Sequence, residues 1–236
     1  MRVIRVFPRK TKATPDDDLV RFGPPDLFDE ADEVHISVTF TWDLPLAENL
    51  AKAWGPVAPV KIGVPATGEA GGDFVPGRYL KHGYVITSRG CPNSCWFCDV
   101  WRREGQTVRE LPIMDGRNLL DDNLLACSEE HQRAVFAMLK RNKQAGPVQF
   151  TGGLEAKRLE PWHVEALRDL KPKQIFFAND TPDDLEPLPT DCLKPRHKSL
   201  RTAPRLRAQE PQGGGHSSGD RPPSHHQSIC VNYRLH

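Results

Sequence analysis

The chain has 236 residues, which is enough for one α/β domain, or two small ones, with a buried core. Its 32 Lys and Arg balance 31 Asp and Glu to a net charge of +1, so the charge gives no electrostatic basis for binding nucleic acid or a membrane surface. No apolar run approaches the ~18 residues that span a bilayer, and the start is typical of a strand rather than a signal peptide. We therefore expect a cytoplasmic protein.

Residues 1–77 have the pattern of a small Rossmann-like region. Three apolar runs predict strands, at residues 3–7, 34–40 and 57–64. Helical spacing of apolar residues predicts a helix over residues 46–54, with Asp43 as its N-cap. The order strand, strand, helix, strand is that of a layered α/β unit.

Residues 78–188 alternate between strand and helix patterns. The predicted strands are 84–88, 147–151 (closed by Gly152 and Gly153) and 174–178; the predicted helices are 119–125, 129–142 and 160–170. Such alternation indicates parallel βα units with right-handed crossovers. In sheets of this kind the chemistry lies beyond the carboxyl ends of the strands.

Residues 189–236 lose this periodicity. They are rich in arginine, poor in large aliphatic residues, and contain a Gly-Gly-Gly run and a His-His pair. We expect this tail to be disordered. The change in texture is abrupt, as a shift of reading frame would produce.

Three of the six cysteines lie within eight positions, directly after the strand predicted at 84–88. They are Cys91, Cys95 and Cys98. Thiols stay reduced in the cytoplasm, so ligation of a metal is a better interpretation than disulfides. Thiolates are the usual ligands of iron–sulfur clusters, which normally take four, and a local set of three leaves one iron open to another ligand.

The pattern Cys-x-x-x-Cys-x-aromatic-Cys after a strand resembles the signature of the radical S-adenosylmethionine (radical SAM) superfamily, with Phe97 as the aromatic residue. The resemblance implies a [4Fe–4S] cluster whose open iron binds S-adenosylmethionine. It implies reductive cleavage of that molecule to a 5′-deoxyadenosyl radical, with an electron donor such as flavodoxin or ferredoxin. The substrate is not identified by the sequence. Phe97 is then expected to pack over the cluster or the adenine.

A zinc site is the alternative interpretation of the same cysteines. Its fourth ligand would be His82 or Cys127, but zinc sites usually come as two Cys-x-x-Cys pairs and no second pair is present. Cys127 is interpreted as a packed thiol. Cys192 and Cys230 lie in the tail with uninformative spacing.

Two further segments follow predicted strands. By the resemblance, the glycines and the acid of Thr151-Gly152-Gly153-Leu154-Glu155 meet the amino group of S-adenosylmethionine, although Leu154 separates Glu155 from the glycines. A simple turn is the alternative for the glycines. Asn179 is expected to touch the ribose or carboxylate of the same ligand, or to cap a helix before Pro182.

The resemblance covers residues 83–188 and about three βα units, where the family's barrel usually has six. It therefore implies a partial (β/α) radical SAM barrel, preceded by the Rossmann-like region and followed by the tail. The first region lacks the Asp-x-His-x-x-Gly pattern of cobalamin-binding relatives, so we do not expect cobalamin. A non-catalytic iron–sulfur or zinc protein and an inactive truncated fragment remain the alternative functions.

Overall fold

The described residues form two mainly parallel sheets and a short antiparallel ribbon. The computed structural model describes residues 1–63, residues 65–178 and the backbone of residues 231–233. The α/β class expected from the alternating pattern is confirmed. None of the helices in these ranges is long and apolar enough to cross a membrane.

The first sheet contains four parallel strands in the order β2-β1-β3-β4. They are β1 (Val3–Val6), β2 (Val20–Arg21), β3 (Glu33–Ser37) and β4 (Val60–Gly63). Successive side chains of a strand point to opposite faces, so the valine and isoleucine of β3 are buried in the core and its polar residues lie on the other face. The three strands predicted in this region are therefore present, with shorter bounds.

The helix α1 (Leu44–Trp54) covers one face of this sheet. Its buried residues Ala47, Leu50 and Trp54 belong to the same apolar cluster as the strand residues. The predicted helix is confirmed, and Asp43 is its N-cap residue as predicted, although the Asp43 side chain makes no capping hydrogen bond. Instead, the Asp43 carboxylate receives two hydrogen bonds from the Arg9 guanidinium, at 2.6 and 2.7 Å.

A ribbon and a short helix follow the first strand of the second sheet. The strand β5 (Tyr84–Val85) is followed by β6 (Ser88–Arg89), α2 (Val100–Arg103) and β7 (Arg109–Glu110). β6 and β7 pair antiparallel to each other and do not join the sheet that contains β5. The single strand predicted at residues 84–88 is thus divided in two, and the loop with the cysteines follows the second piece.

The second sheet has the order β11-β10-β9-β8-β5. Its further strands are β8 (Asn118–Leu119), β9 (Gln149–Glu155), β10 (Gln174–Ala178) and β11 (Val231–Tyr233). β5, β8, β9 and β10 are parallel neighbours in chain order. All four therefore present their carboxyl ends at one edge of the sheet.

Two helices pack on this sheet, as the apolar spacing predicts. They are α3 (Glu129–Asn142) and α4 (Pro161–Leu170). The side chain of Ser128 accepts a hydrogen bond from the His131 N–H and so caps α3, whereas α4 begins with proline, whose missing N–H is no loss in the first turn. The apolar cluster that joins helices and strands includes Val135, Met138, Leu139, Phe150, Leu167 and Ile175.

The helix predicted at residues 119–125 is wrong. Leu119 lies in β8, and the only helical part of this segment is a 3-10 turn, Leu124–Ala126. The apolar pairs at 119–120 and 124–125 resemble helical spacing, but Leu119 is buried between β5 and β9, so the backbone there must be extended. The polar residues between the two pairs turn the chain away from the sheet.

Three residues of the tail differ from the disorder predicted for residues 189–236. Residues 231–233 form β11, which pairs antiparallel with β10, so these three residues differ from the expectation. The pairing protects the β10 edge, whose backbone groups would otherwise lack partners. The remaining residues of the tail lie outside the described residues.

Candidate functional site

The loop with the three cysteines joins β6 to α2. Cys91, Cys95 and Cys98 form no disulfide and are all partly buried. The Cys91 N–H donates to the Gly105 carbonyl at 3.2 Å, and the Cys98 N–H donates to the Cys95 carbonyl at 3.1 Å. The Trp101 indole N–H donates to that same carbonyl at 3.0 Å. The backbone of the loop is therefore held by hydrogen bonds at both ends, and its cysteines are not tied up in disulfides.

Gly90, directly before the first cysteine, is required by the path of the loop. Its φ is +90°, and a Cβ there would lie 2.5 Å from the Thr107 carbonyl oxygen. Backbone cannot yield as a side chain can, so any larger residue would displace Cys91.

An acidic segment that follows β8, residues 121–123, holds the cysteine loop in place through hydrogen bonds. The buried Asp121 carboxylate accepts hydrogen bonds from the Thr87 N–H (2.6 Å), the Thr87 hydroxyl (2.5 Å) and the Ser88 hydroxyl (2.8 Å). Asp122 accepts from the Gly90 N–H at 3.0 Å. Burial raises the pKa of both aspartates, and these hydrogen bonds oppose the rise. The two carboxyl groups thus fix the strand and turn that lead into Cys91.

Asn123 completes this segment and connects two parts of the predicted site. It is 4% exposed, and its Nδ2 lies 3.4 Å from Sγ of Cys91 and 2.7 Å from Oε2 of Glu155. Its Oδ1 is buried and has no hydrogen-bond partner among the described residues. A buried acceptor left unpaired costs about 1–3 kcal/mol. This cost is accepted because the Glu155 carboxylate can only accept, so the amide must turn its NH2 towards the carboxylate and the sulfur.

Glu155 lies at the carboxyl end of β9, close to the cysteine loop. Burial disfavours its charged form, but hydrogen bonds from Asn123, Asn93, Lys157 and Arg158 outweigh that effect and lower its pKa to about 2. Arg158 Nε lies 2.6 Å from Oε2, and Lys157 Nζ lies 3.0 Å from Oε1. Glu155 is therefore a carboxylate, fixed beside the first cysteine.

Replacing Glu155 by glutamine is expected to make the fold less sensitive to acid. A carboxyl whose pKa is lower in the fold stabilises the fold above its unfolded pKa, and that contribution is lost as the pH falls through the folded value. For Glu155 the window runs from 4.5 down to about 2. Urea unfolding at a series of pH values should show a shallower fall in stability for Glu155→Gln. Glu165→Gln, on the exposed face of α4, is the control; a slope for Glu155→Gln equal to that of wild type would contradict the prediction.

The two glycines before Glu155 lie within β9 rather than after it. A Cβ on Gly152 would be 2.4 Å from the Asp121 carbonyl oxygen, so this glycine is explained by close packing of two backbone segments. Gly153 has φ +95° and lies where the pairing with β10 is irregular. This bulge sets the direction of the residues that follow it, including Glu155.

The aromatic residues of the cysteine loop are exposed. Trp96 and Phe97 are 69% and 44% exposed, and their rings meet edge to face with centroids 5.6 Å apart. The sequence predicts that Phe97 packs over a cofactor. Within the chain its ring contacts Trp96 and leaves surface free for a ligand.

A buried glutamate, Glu104, ties the loop to the chain that precedes it. Its side chain is 1% exposed and pairs with Arg89, Arg103 and Arg109. It also accepts from the Gly71 N–H at 3.0 and 3.1 Å. Sequence reasoning missed this residue, since a single glutamate in a polar stretch has no distinguishing signal.

Cys127 is a packed thiol, as expected from its sequence context. Burial raises its pKa to about 11, and its Sγ lies 3.9 Å from the Asn123 carbonyl oxygen. Burial also raises the pKa of Cys98, the nearby acidic groups Asp122 and Asp99 add to the rise, and a backbone hydrogen bond from Val100 lowers it. Both thiols are therefore protonated at neutral pH unless a cation binds them.

Sequence reasoning also missed residues 121–123 as part of the site. Because residues 119–125 were predicted as a helix, the Asp-Asp-Asn run was not placed at a strand end. Recognition of β8 would have identified it, since polar residues directly after a parallel strand face the same edge as the other motifs.

The structure brings together Cys91, Asn93, Asn123 and Glu155, and it places Gly152 against the acidic segment. Asn179 lies outside the described residues. Within the part of the chain that is described, no three His, Cys, Asp or Glu side chains are arranged as a group that could hold a metal ion. Comparison with models of known families, with curated proteins and with solved structures finds no match to this chain.

Proposed function

We propose that this chain is a radical SAM protein that binds a [4Fe–4S] cluster through Cys91, Cys95 and Cys98. One observation carries the proposal: three cysteines outside any disulfide share a single anchored loop, and an amide joins the first of them to a carboxylate at a neighbouring strand end. The donor set fits the group, because thiolates are the usual ligands of such clusters. When bound, the cluster supplies the electron that splits a carbon–sulfur bond of S-adenosylmethionine.

The strand order of the second sheet supports the proposal of a partial radical SAM barrel. Four parallel strands follow one another in chain order, which is what a partial (β/α) barrel requires. The acidic segment and Glu155 then lie at the carboxyl ends of β8 and β9, the edge where such folds carry their chemistry, and hydrogen bonds tie the start of the cysteine loop to that edge.

Glu155 is the residue of this site that suits the amino group of S-adenosylmethionine. A carboxylate with a pKa of about 2 stays ionised and attracts an ammonium. Lys157 Nζ forms an ion pair with Oε1 at 3.0 Å, and the Lys157 side chain is 51% exposed. In this proposal the ligand's ammonium takes the place of Lys157 and leaves Asn123 and Arg158 on Oε2.

The loop itself supplies the remaining contacts. The exposed ring faces of Phe97 and Trp96 offer apolar surface to the adenine. The anchored backbone keeps the thiols in place, so little order has to be created when the ligands bind. We place this chemistry in the cytoplasm, where thiols stay reduced and a flavodoxin or ferredoxin is available as donor.

Anaerobic reconstitution with iron and sulfide tests the function. We expect a brown protein with about four irons per chain, whose reduced EPR signal changes when S-adenosylmethionine is added, and which forms 5′-deoxyadenosine. A colourless protein with bound zinc would identify a zinc site. A cluster whose EPR signal ignores the ligand would identify an electron carrier; either result overturns the proposal.

A further inference from the structure

The side chain of Asn123 donates a hydrogen bond to a cysteine sulfur of the loop, with Nδ2 3.4 Å from Cys91 Sγ. We infer that Asn123 is a positioning residue that raises the reduction potential of the cluster. The inference rests on the proposed function and goes beyond it, because it assigns a role to a residue outside the cysteine motif.

The orientation of the amide is determined by its neighbours. Glu155 is ionised and can only accept, so the NH2 end of Asn123, not the oxygen end, must face it at 2.7 Å. The second hydrogen of the same NH2 is then available to the sulfur of Cys91. The oxygen end is left buried and unpaired among the described residues, which a residue placed only for packing would avoid.

The position of Asn123 is as constrained as its orientation. The two residues before it are hydrogen-bonded to Thr87, Ser88 and Gly90, which lead into Cys91. A movement of the amide relative to the sulfur would therefore break several buried hydrogen bonds. These hydrogen bonds hold the segment that carries Asn123 against the turn that leads into Cys91.

The electrostatic consequence follows from charge. A thiol is a weak acceptor, whereas a thiolate bound to iron is a good one. One-electron reduction adds negative charge to the cluster and its sulfurs, and a donor pointing at one sulfur stabilises the reduced form more than the oxidised form. Hydrogen bonds to the sulfurs are one of the factors that set cluster potentials. Asn123 thus makes reduction by a biological donor easier.

The test is a potentiometric EPR titration of the reconstituted chain, with Asn123→Leu as the variant. Leucine has nearly the same shape and lacks the donor. We expect reduction to become about tenfold less favourable, a potential lower by about 59 mV for a one-electron couple. Asn118→Leu is the matched control, because Asn118 is 8% exposed and its amide contacts Gln149 and Thr151 rather than a cysteine.

The outcomes separate the inference from the proposed function. Absence of iron in the wild-type chain defeats the function itself. Full iron content with an unchanged potential in Asn123→Leu overturns only the inference, as does a folded variant that loses the cluster altogether. If Asn123→Leu does not fold, Asn123→Asp takes its place: it keeps the shape and exchanges the donor for a negative charge. A potential at or above that of wild type in that variant would overturn the inference.

Discussion

Simultaneous replacement of Cys91, Cys95 and Cys98 by alanine is expected to abolish the binding of iron and sulfide. Each thiolate would hold one iron, and the acidic segment below the loop offers no other sulfur. Iron and sulfide per chain, together with the visible absorption, should fall to background after anaerobic reconstitution. The far-UV circular dichroism should stay close to that of wild type, since all three thiols lie on a loop outside the apolar core.

Cys127→Ala is the control for this experiment. Cys127 is also a partly buried cysteine outside any disulfide, but its thiol faces the Asn123 carbonyl and its pKa of about 11 is that of an inert group. We expect the variant to bind iron as wild type does. Retention of a cluster by the triple variant would contradict the assignment of the ligands, and loss of the cluster in Cys127→Ala would make Cys127 a fourth ligand.

Gly152→Ala is expected to destabilise the fold by about 3 kcal/mol. Its Cβ would lie 2.4 Å from the Asp121 carbonyl oxygen and within 2.8 Å of two further backbone atoms of residues 120 and 121. Either β9 or the acidic segment would have to move, and movement of the acidic segment would disturb the hydrogen bonds to Thr87 and Ser88. Urea unfolding followed by circular dichroism measures the loss.

The control is Gly72→Ala, because a Cβ at Gly72 meets no atom within 4 Å and its φ is not in the left-handed region. The comparison also separates two explanations of Gly152. If this glycine served only to let a ligand approach, the variant would unfold like wild type and lose only the binding of S-adenosylmethionine. Stability equal to that of wild type would therefore refute the packing explanation.

Patterns of residues close together in the chain predicted the longer helices and strands. The apolar spacing of residues 129–142 and 160–170 identified α3 and α4, since an amphipathic helix repeats its buried positions every three or four residues. The short apolar runs at residues 3–7 and 174–178 likewise identified β1 and β10. The cysteine spacing needed no fold at all, because the three thiols are close along the chain.

Short elements were harder to predict. β8 has two residues, too few for periodicity to be visible, and its identity comes from pairing with β5 and β9 on either side. The apolar pairs around it imitate a helix. Only the neighbouring strands, distant in sequence, decide between the two conformations.

The sequence by itself determined the α/β alternation, the main helices and the set of three cysteines, because each depends on residues close together in the chain. Only the tertiary structure decided that Asp121, Asp122 and Asn123 anchor the cysteine loop and that Glu155 lies beside Cys91. These contacts join residues about 30 positions apart, and no local preference encodes them. They arise because parallel strands bring their carboxyl ends to one edge of the sheet.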